Sequence, residues 1–148
     1  MSAQAADPAQ RFAARFAATQ ARRAAIRTRP NPHSANEYLI GLEGMLSLPG
    51  SAAPLRVKLR FVPDRLVLES AGFAAYLAAV AAQPWTGAED LATAMLEDLS
   101  NELVAKWTQI ALRTRRGPES GRDDHTVLVE ERQPRWDNPS LLARLDEV

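Results

Sequence analysis

The sequence predicts an α+β domain of two layers: a four-stranded antiparallel sheet with two helices on one face, in the order ββααββ, preceded by a further N-terminal helix. Three observations predict it. Tyr38–Leu48 and Leu55–Phe61 alternate apolar and polar residues at the period of a half-buried strand. Two stretches of helical periodicity follow, and then Thr108–Thr114 and Thr126–Glu131 alternate again. Strands that bury one face alternate in this way, and helices gathered on that face complete a two-layer core.

From Pro8 to Thr28 the chain is rich in Ala, Arg and Gln, all good helix formers. Phe12, Phe16 and Ile26 give this helix only a thin apolar stripe, amid Arg11, Arg15, Arg22, Arg23 and Arg27. It is expected to dock weakly or fray. A second reading makes it a basic arm for nucleic acid or a protein partner, without interleaved aromatics to stack bases. Arg29-Pro30-Asn31-Pro32 ends it, because each proline disfavours helix before it. The expected division is a helical extension over 1–30, a folded domain over 31–132 and a tail over 133–148.

In the first strand Ile40, Leu42, Leu46 and Leu48 share a side; in the second, Leu55, Val57, Leu59 and Phe61 oppose Arg56, Lys58 and Arg60. The turn Pro49–Pro54 joins them as a hairpin. Leu66–Glu69 then leads to Ser70, the expected cap of a helix carrying Phe73, Tyr76, Leu77 and Val80, which Gln83-Pro84-Trp85 breaks. A second helix, Gly87–Lys106, has Leu91, Met95, Leu99 and Leu103 along one stripe. The polar stretch Arg115–Asp124 reads as a mobile loop between the last two strands. A short terminal helix has Asn138 as cap, Pro139 at its first position and Leu141, Leu142 and Leu145 as apolar residues. The outer strands would leave open edges, so a homo-oligomer joined through sheet edges is expected. If such pairing closed a barrel, Arg56, Lys58 and Arg60 would line its inside; otherwise they form a solvated sheet face.

At 148 residues the chain fits one domain. Its 18 acidic and 18 basic residues balance, so no global field draws it to nucleic acid or membrane. No apolar run approaches the roughly 20 residues of a membrane-spanning helix. Arginines interrupt the N-terminal alanines, against a secretory signal, and a cytoplasmic location is expected. The near-exclusive use of arginine over lysine, with many alanines, points to a GC-rich bacterial genome. His33 and His125 are the only histidines and there is no cysteine, which argues against a zinc site.

The element order and four short motifs resemble the tunnelling fold, or T-fold, and within it the QueF-type 7-cyano-7-deazaguanine reductases of queuosine biosynthesis. Pro32-His33-Ser34-Ala35-Asn36-Glu37-Tyr38-Leu39 is similar to the family's lead-in to its first strand. Val57-Lys58-Leu59-Arg60-Phe61-Val62-Pro63-Asp64-Arg65 is similar to its second strand and following turn. Leu68-Glu69-Ser70, with Tyr76-Leu77, resembles the two ends of the Glu-Ser-Lys-Ser-x-Lys-x-Tyr signature, and Glu89-Asp90 with Glu97-Asp98-Leu99 resembles the His-Glu-Asp and Asp-Leu motifs. The resemblance implies an oligomeric, NADPH-dependent oxidoreductase in which a loop cysteine adds to a nitrile and an aspartate donates a proton.

Four departures change that expectation. The corresponding loop, Pro49–Pro54, holds neither cysteine nor aspartate, and Ser47 and Ser51 are its nearest hydroxyls. Ala71 and Ala74 stand where the signature has lysines, so the cofactor signature is reduced to Ser70 and Tyr76 beside Glu69. No cofactor is expected, and NADPH enters through the resemblance alone. Ala88 replaces the family's histidine before the glutamate, and Arg115-Arg116-Gly117 is only loosely similar to its Arg-Gly-Gly stretch. What the resemblance still implies is a purine, deazaguanine or pterin-like ligand held at a subunit boundary by one carboxylate. Glu89 is the first candidate and Glu69 the second. Thr86-Gly87-Ala88-Glu89 also reads as a capping box, in which Glu89 would serve only the helix start. Likewise Trp85 either flanks a planar ligand or packs beside that helix. The catalytic residues, if a reaction exists, are not identified by sequence; a different reaction on the same scaffold and a non-catalytic subunit both stay open.

Overall fold

The computed structural model describes residues 4–49, 53–114 and 125–148, and it has the mixed α+β class. The main sheet is antiparallel throughout and contains β2 (Ile40–Leu46), β3 (Leu55–Val62), β5 (Trp107–Thr114) and β6 (His125–Arg132), in spatial order β2-β3-β5-β6. Helices α2 (Ser70–Ala81) and α3 (Ala88–Leu103) cover one face, α2 beside β2 and α3 across β5 and β6. Between the layers lie Val57, Leu59, Phe61, Leu91, Met95, Leu99, Leu103, Ile110 and Leu112, all essentially inaccessible. Each comes from the periodic set of its element, which is why the alternation and the helical stripe meet in one core.

The described residues form two strands more than the expected order. β1 (Thr28–Pro30) pairs antiparallel with β4 (Leu66–Leu68) as a separate ribbon. Helix α1 (Pro8–Ala24) consequently stops short of Thr28. The helix ends at Ala24, with Ala25 as its cap, before the prolines that were expected to stop it; Pro30 instead ends a strand, a position where its missing N–H costs little. Helix α2 has Glu69, not Ser70, as its cap residue, and Ser70 is its first helical position. In the tail, Asn138 caps α4 (Pro139–Leu142) by accepting from the Leu141 N–H at 3.1 Å, as expected.

The open face of the sheet is neither bare nor uniformly basic. Lys58 lies opposite Glu43 across β2 and β3, with 3.6 Å between their charged atoms. Arg60 Nη1 donates to the Leu145 carbonyl at 2.9 Å, so the tail lies over this face. Gly41 makes room for it, since a Cβ there would stand 2.4 Å from Val148 Cγ1. Trp107 is fully buried and donates its indole N–H to Glu130 at 2.6 Å. The tail is clasped by Glu37, whose carboxylate accepts from Trp136 Nε1 and Asn138 Nδ2, both at 2.8 Å, and from Lys106 Nζ at 3.2 Å. The Trp136 hydrogen bond, aided by Asn138 and Lys106 and opposed by partial desolvation, holds the Glu37 carboxyl below its ordinary value.

Helix α1 does not dock weakly. Its second half crosses α2 and α3 and is fixed there by a buried ion pair between Arg22 and Asp98. Its first half is solvated, with Phe12 and Phe16 stacked on each other and 72% and 58% exposed.

Candidate functional site

The cleft that contains Glu89 is built where α2 gives way to α3. Pro84 cannot continue the helix, and the chain runs over Gln83–Gly87 before turning into α3. Gly87 is the cap residue of α3, in extended backbone, and no side chain caps the helix. The capping box is therefore absent: the Thr86 hydroxyl bonds the Asp90 carboxylate instead. Glu89 is left free of the helix start. Its side chain is 69% exposed, and its Oε1 lies 3.4 Å from Nε2 of His125, the first residue of β6. Glycine at 87 leaves the carboxylate its room, because a Cβ there would come within 3.2 Å of Glu89 Oε2.

The cleft has a volume of about 750 Å³ and is walled by Leu55, Trp85, Thr114 and His125 as well as Glu89. Strand register explains this company: Thr114 pairs with both Leu55 and His125 at the end of the sheet nearest the start of α3. Trp85 is half-buried, packs against the core and donates its indole N–H to the Val80 carbonyl at 2.9 Å. Packing residue and cleft wall are one and the same here. A carboxylate in the first turn is favoured by the helix dipole and can accept two parallel N–H donors. The imidazole beside it can donate or accept, and an indole offers a flat apolar surface.

The other sequence candidates lie elsewhere. Glu69 is half-buried at the start of α2, and its backbone N–H donates to Arg27 at 3.1 Å. Ser70 is exposed and borders a second depression of about 490 Å³ beside edge strand β2, together with Ser47, Phe73, Ala74 and Leu77. Tyr76 is fully buried, and its hydroxyl donates to Asp98 Oδ2 at 2.7 Å. The Glu89 cleft therefore includes none of Glu69, Ser70 and Tyr76. Ser51 and Arg115-Arg116-Gly117, like the Arg115–Asp124 loop, lie outside the described residues.

Behind the cleft is a polar cluster that sequence reasoning missed. Asp98 is wholly inaccessible and receives Arg22 Nε at 2.7 Å, Arg22 Nη2 at 3.2 Å, Arg23 Nε at 3.0 Å and the Tyr76 hydroxyl. Burial would lower the Arg22 pKa, but the Asp98 hydrogen bond and charge, with help from Tyr76, outweigh it and raise the value. Burial first, and then the Asp98 charge, push the Tyr76 phenol above its usual range, so it stays a neutral donor. Arg22 also donates to Gln83 Oε1 at 2.8 Å and lies 5.2 Å from the Trp85 ring centre. A signal for this existed. Asp98 falls on the inward side of α3, between Met95 and Leu99, where an acid must find a partner. For His125 no such signal existed, because its proximity to Glu89 depends on the β5–β6 register.

Among the described residues, no group of three or more metal-ligating side chains comes together, and no helix is long and apolar enough to cross a membrane. No protein-family model and no curated protein matches the chain.

Proposed function

We propose that this chain is a QueF-like T-fold protein that binds a purine, deazaguanine or pterin-like molecule through Glu89, at a boundary between copies, without thiol-dependent nitrile reduction. The observation that carries the reading is the state of Glu89: an exposed carboxylate, not used as a cap, in a cleft beside an indole and an imidazole. Such a group can take the ring N–H and exocyclic amine of a guanine-like edge in parallel, while Trp85 covers a ring face. Edge strands β2 and β6 of the four-stranded sheet support association of copies through sheet edges.

The absence of cysteine from the sequence removes the thioimide route. NADPH enters only through the resemblance, and the residues fit it poorly. Ala71 and Ala74 offer no charge to a phosphate, and the Tyr76 hydroxyl is buried on Asp98.

Calorimetric titration with guanine, 7-cyano-7-deazaguanine and a pterin tests the ligand, and light scattering tests the oligomer. Saturable binding of at least one compound by a multimer is expected. Failure of all three to bind rejects the ligand class, and steady NADPH consumption with the cyano compound rejects the loss of reductase chemistry. A second reading, a different reaction on the same scaffold, is favoured by one observation: His125 supplies a titratable group within 3.4 Å of the proposed anchor.

A further inference from the structure

Two walls of the cleft, Gln83 and Trp85, have their back surfaces on helix α1. Gln83 Nε2 donates to the Ala18 carbonyl at 2.8 Å, and Gln83 Oε1 accepts from Arg22 at the same distance. Trp85 is held on one side by its bond to Val80 and on another by the Arg22 guanidinium. Arg22 is in turn fixed in two directions by the carboxylate of Asp98. The planar guanidinium thus touches the structural cluster and both wall residues.

We infer that Arg22 is a positioning residue of the cleft: it transmits the docking of α1 to Trp85 and Gln83, so that α1 docking and ligand binding are linked. Arginine suits this because a single rigid plane supplies the fork to Asp98, a donor to Gln83 and a face for indole. Lysine would keep the charge next to Asp98 and lose the plane. Linkage makes the effect reciprocal: a ligand that prefers the ordered wall must also hold α1 more firmly. The part concerning ligand affinity rests on the purine-type reading above; the positioning of Trp85 does not.

Fluorine NMR of full-length protein labelled with fluorotryptophan tests both parts, since the three tryptophans can be assigned by single replacement with phenylalanine. In Arg22→Lys the Trp85 resonance is expected to shift and broaden while that of Trp136, clasped by Glu37, stays in place. Gln83→Leu leaves the Arg22–Asp98 pair whole and is expected to move the same resonance, which keeps the test valid if Arg22→Lys folds poorly. Calorimetry with 7-cyano-7-deazaguanine should show about two- to fivefold weaker binding in either variant, the size of one cation–π contact or hydrogen bond. A Trp85 resonance that moves no more than that of Trp136 in both variants overturns the positioning role. Movement of Trp85 with unchanged affinity for a compound that does bind overturns the linkage. If the wild-type protein binds none of the compound but Trp85 still moves, the ligand reading fails and Arg22 keeps its positioning role.

Discussion

Asp98 and Glu89 are carboxylates on the same helix, roughly two and a half turns apart, and they have opposite circumstances. Asp98 has no exposure and receives two arginines and a phenol. Glu89 is mostly exposed and faces a single histidine. A buried carboxylate is tolerated only when its lone pairs are filled, so Asp98 is committed to holding α1, α2 and α3 together. An exposed one at a helix start costs little to keep unpaired and remains available to a ligand. Burial, more than residue type, separates the committed carboxylate from the accessible one in this helix.

The largest way to break the contrast is Asp98→Ala. It leaves Arg22 buried without its partner, and a loss of about 3–5 kcal/mol of unfolding free energy is expected in denaturant titrations. Hydrogen exchange should show the second half of α1 opening at the same time. Retention of wild-type stability would mean that the cluster holds nothing together. Glu89→Gln should do the reverse, leaving unfolding free energy within about 0.5 kcal/mol of wild type, because the group has no buried partner to strand. A larger loss in the same denaturation experiment would return Glu89 to a structural role.

A smaller effect is expected at Glu37, a carboxylate between these extremes. Its folded-state pKa lies below its value in the unfolded chain. The charged form therefore stabilises the tail fully above the unfolded value, and the contribution is lost as pH falls through the folded one. The exposed setting limits it to under about 1 kcal/mol. Stability curves of wild type and Glu37→Gln should differ near neutral pH and converge in acid; a constant offset at all pH values would exclude ionisation as the cause.

Much of the sheet was legible because its signals are local. Alternation located β2, β3, β5 and β6, and the leucine stripe located α3, each within a few residues of its ends. The β1–β4 ribbon was not legible, since three-residue strands carry too little periodicity to be told from loop. Nor was the firm seat of α1. Its apolar stripe is thin, and what fixes it is a polar contact across 76 positions of sequence. Glu89 was legible as a candidate, but its freedom from capping was not, because the choice of Gly87 over Thr86 as cap residue depends on how the chain leaves Trp85. His125 entered the site only through strand register, and Tyr76 left it through burial.

The most direct measurement is the calorimetric affinity of wild type and Glu89→Gln for 7-cyano-7-deazaguanine, taken at matched pH and salt. Saturable binding by the wild type and a loss of about tenfold or more in the variant are predicted, the size of a charge-assisted hydrogen bond. Equal affinity in both proteins, or none in the wild type, would contradict the role given to this carboxylate.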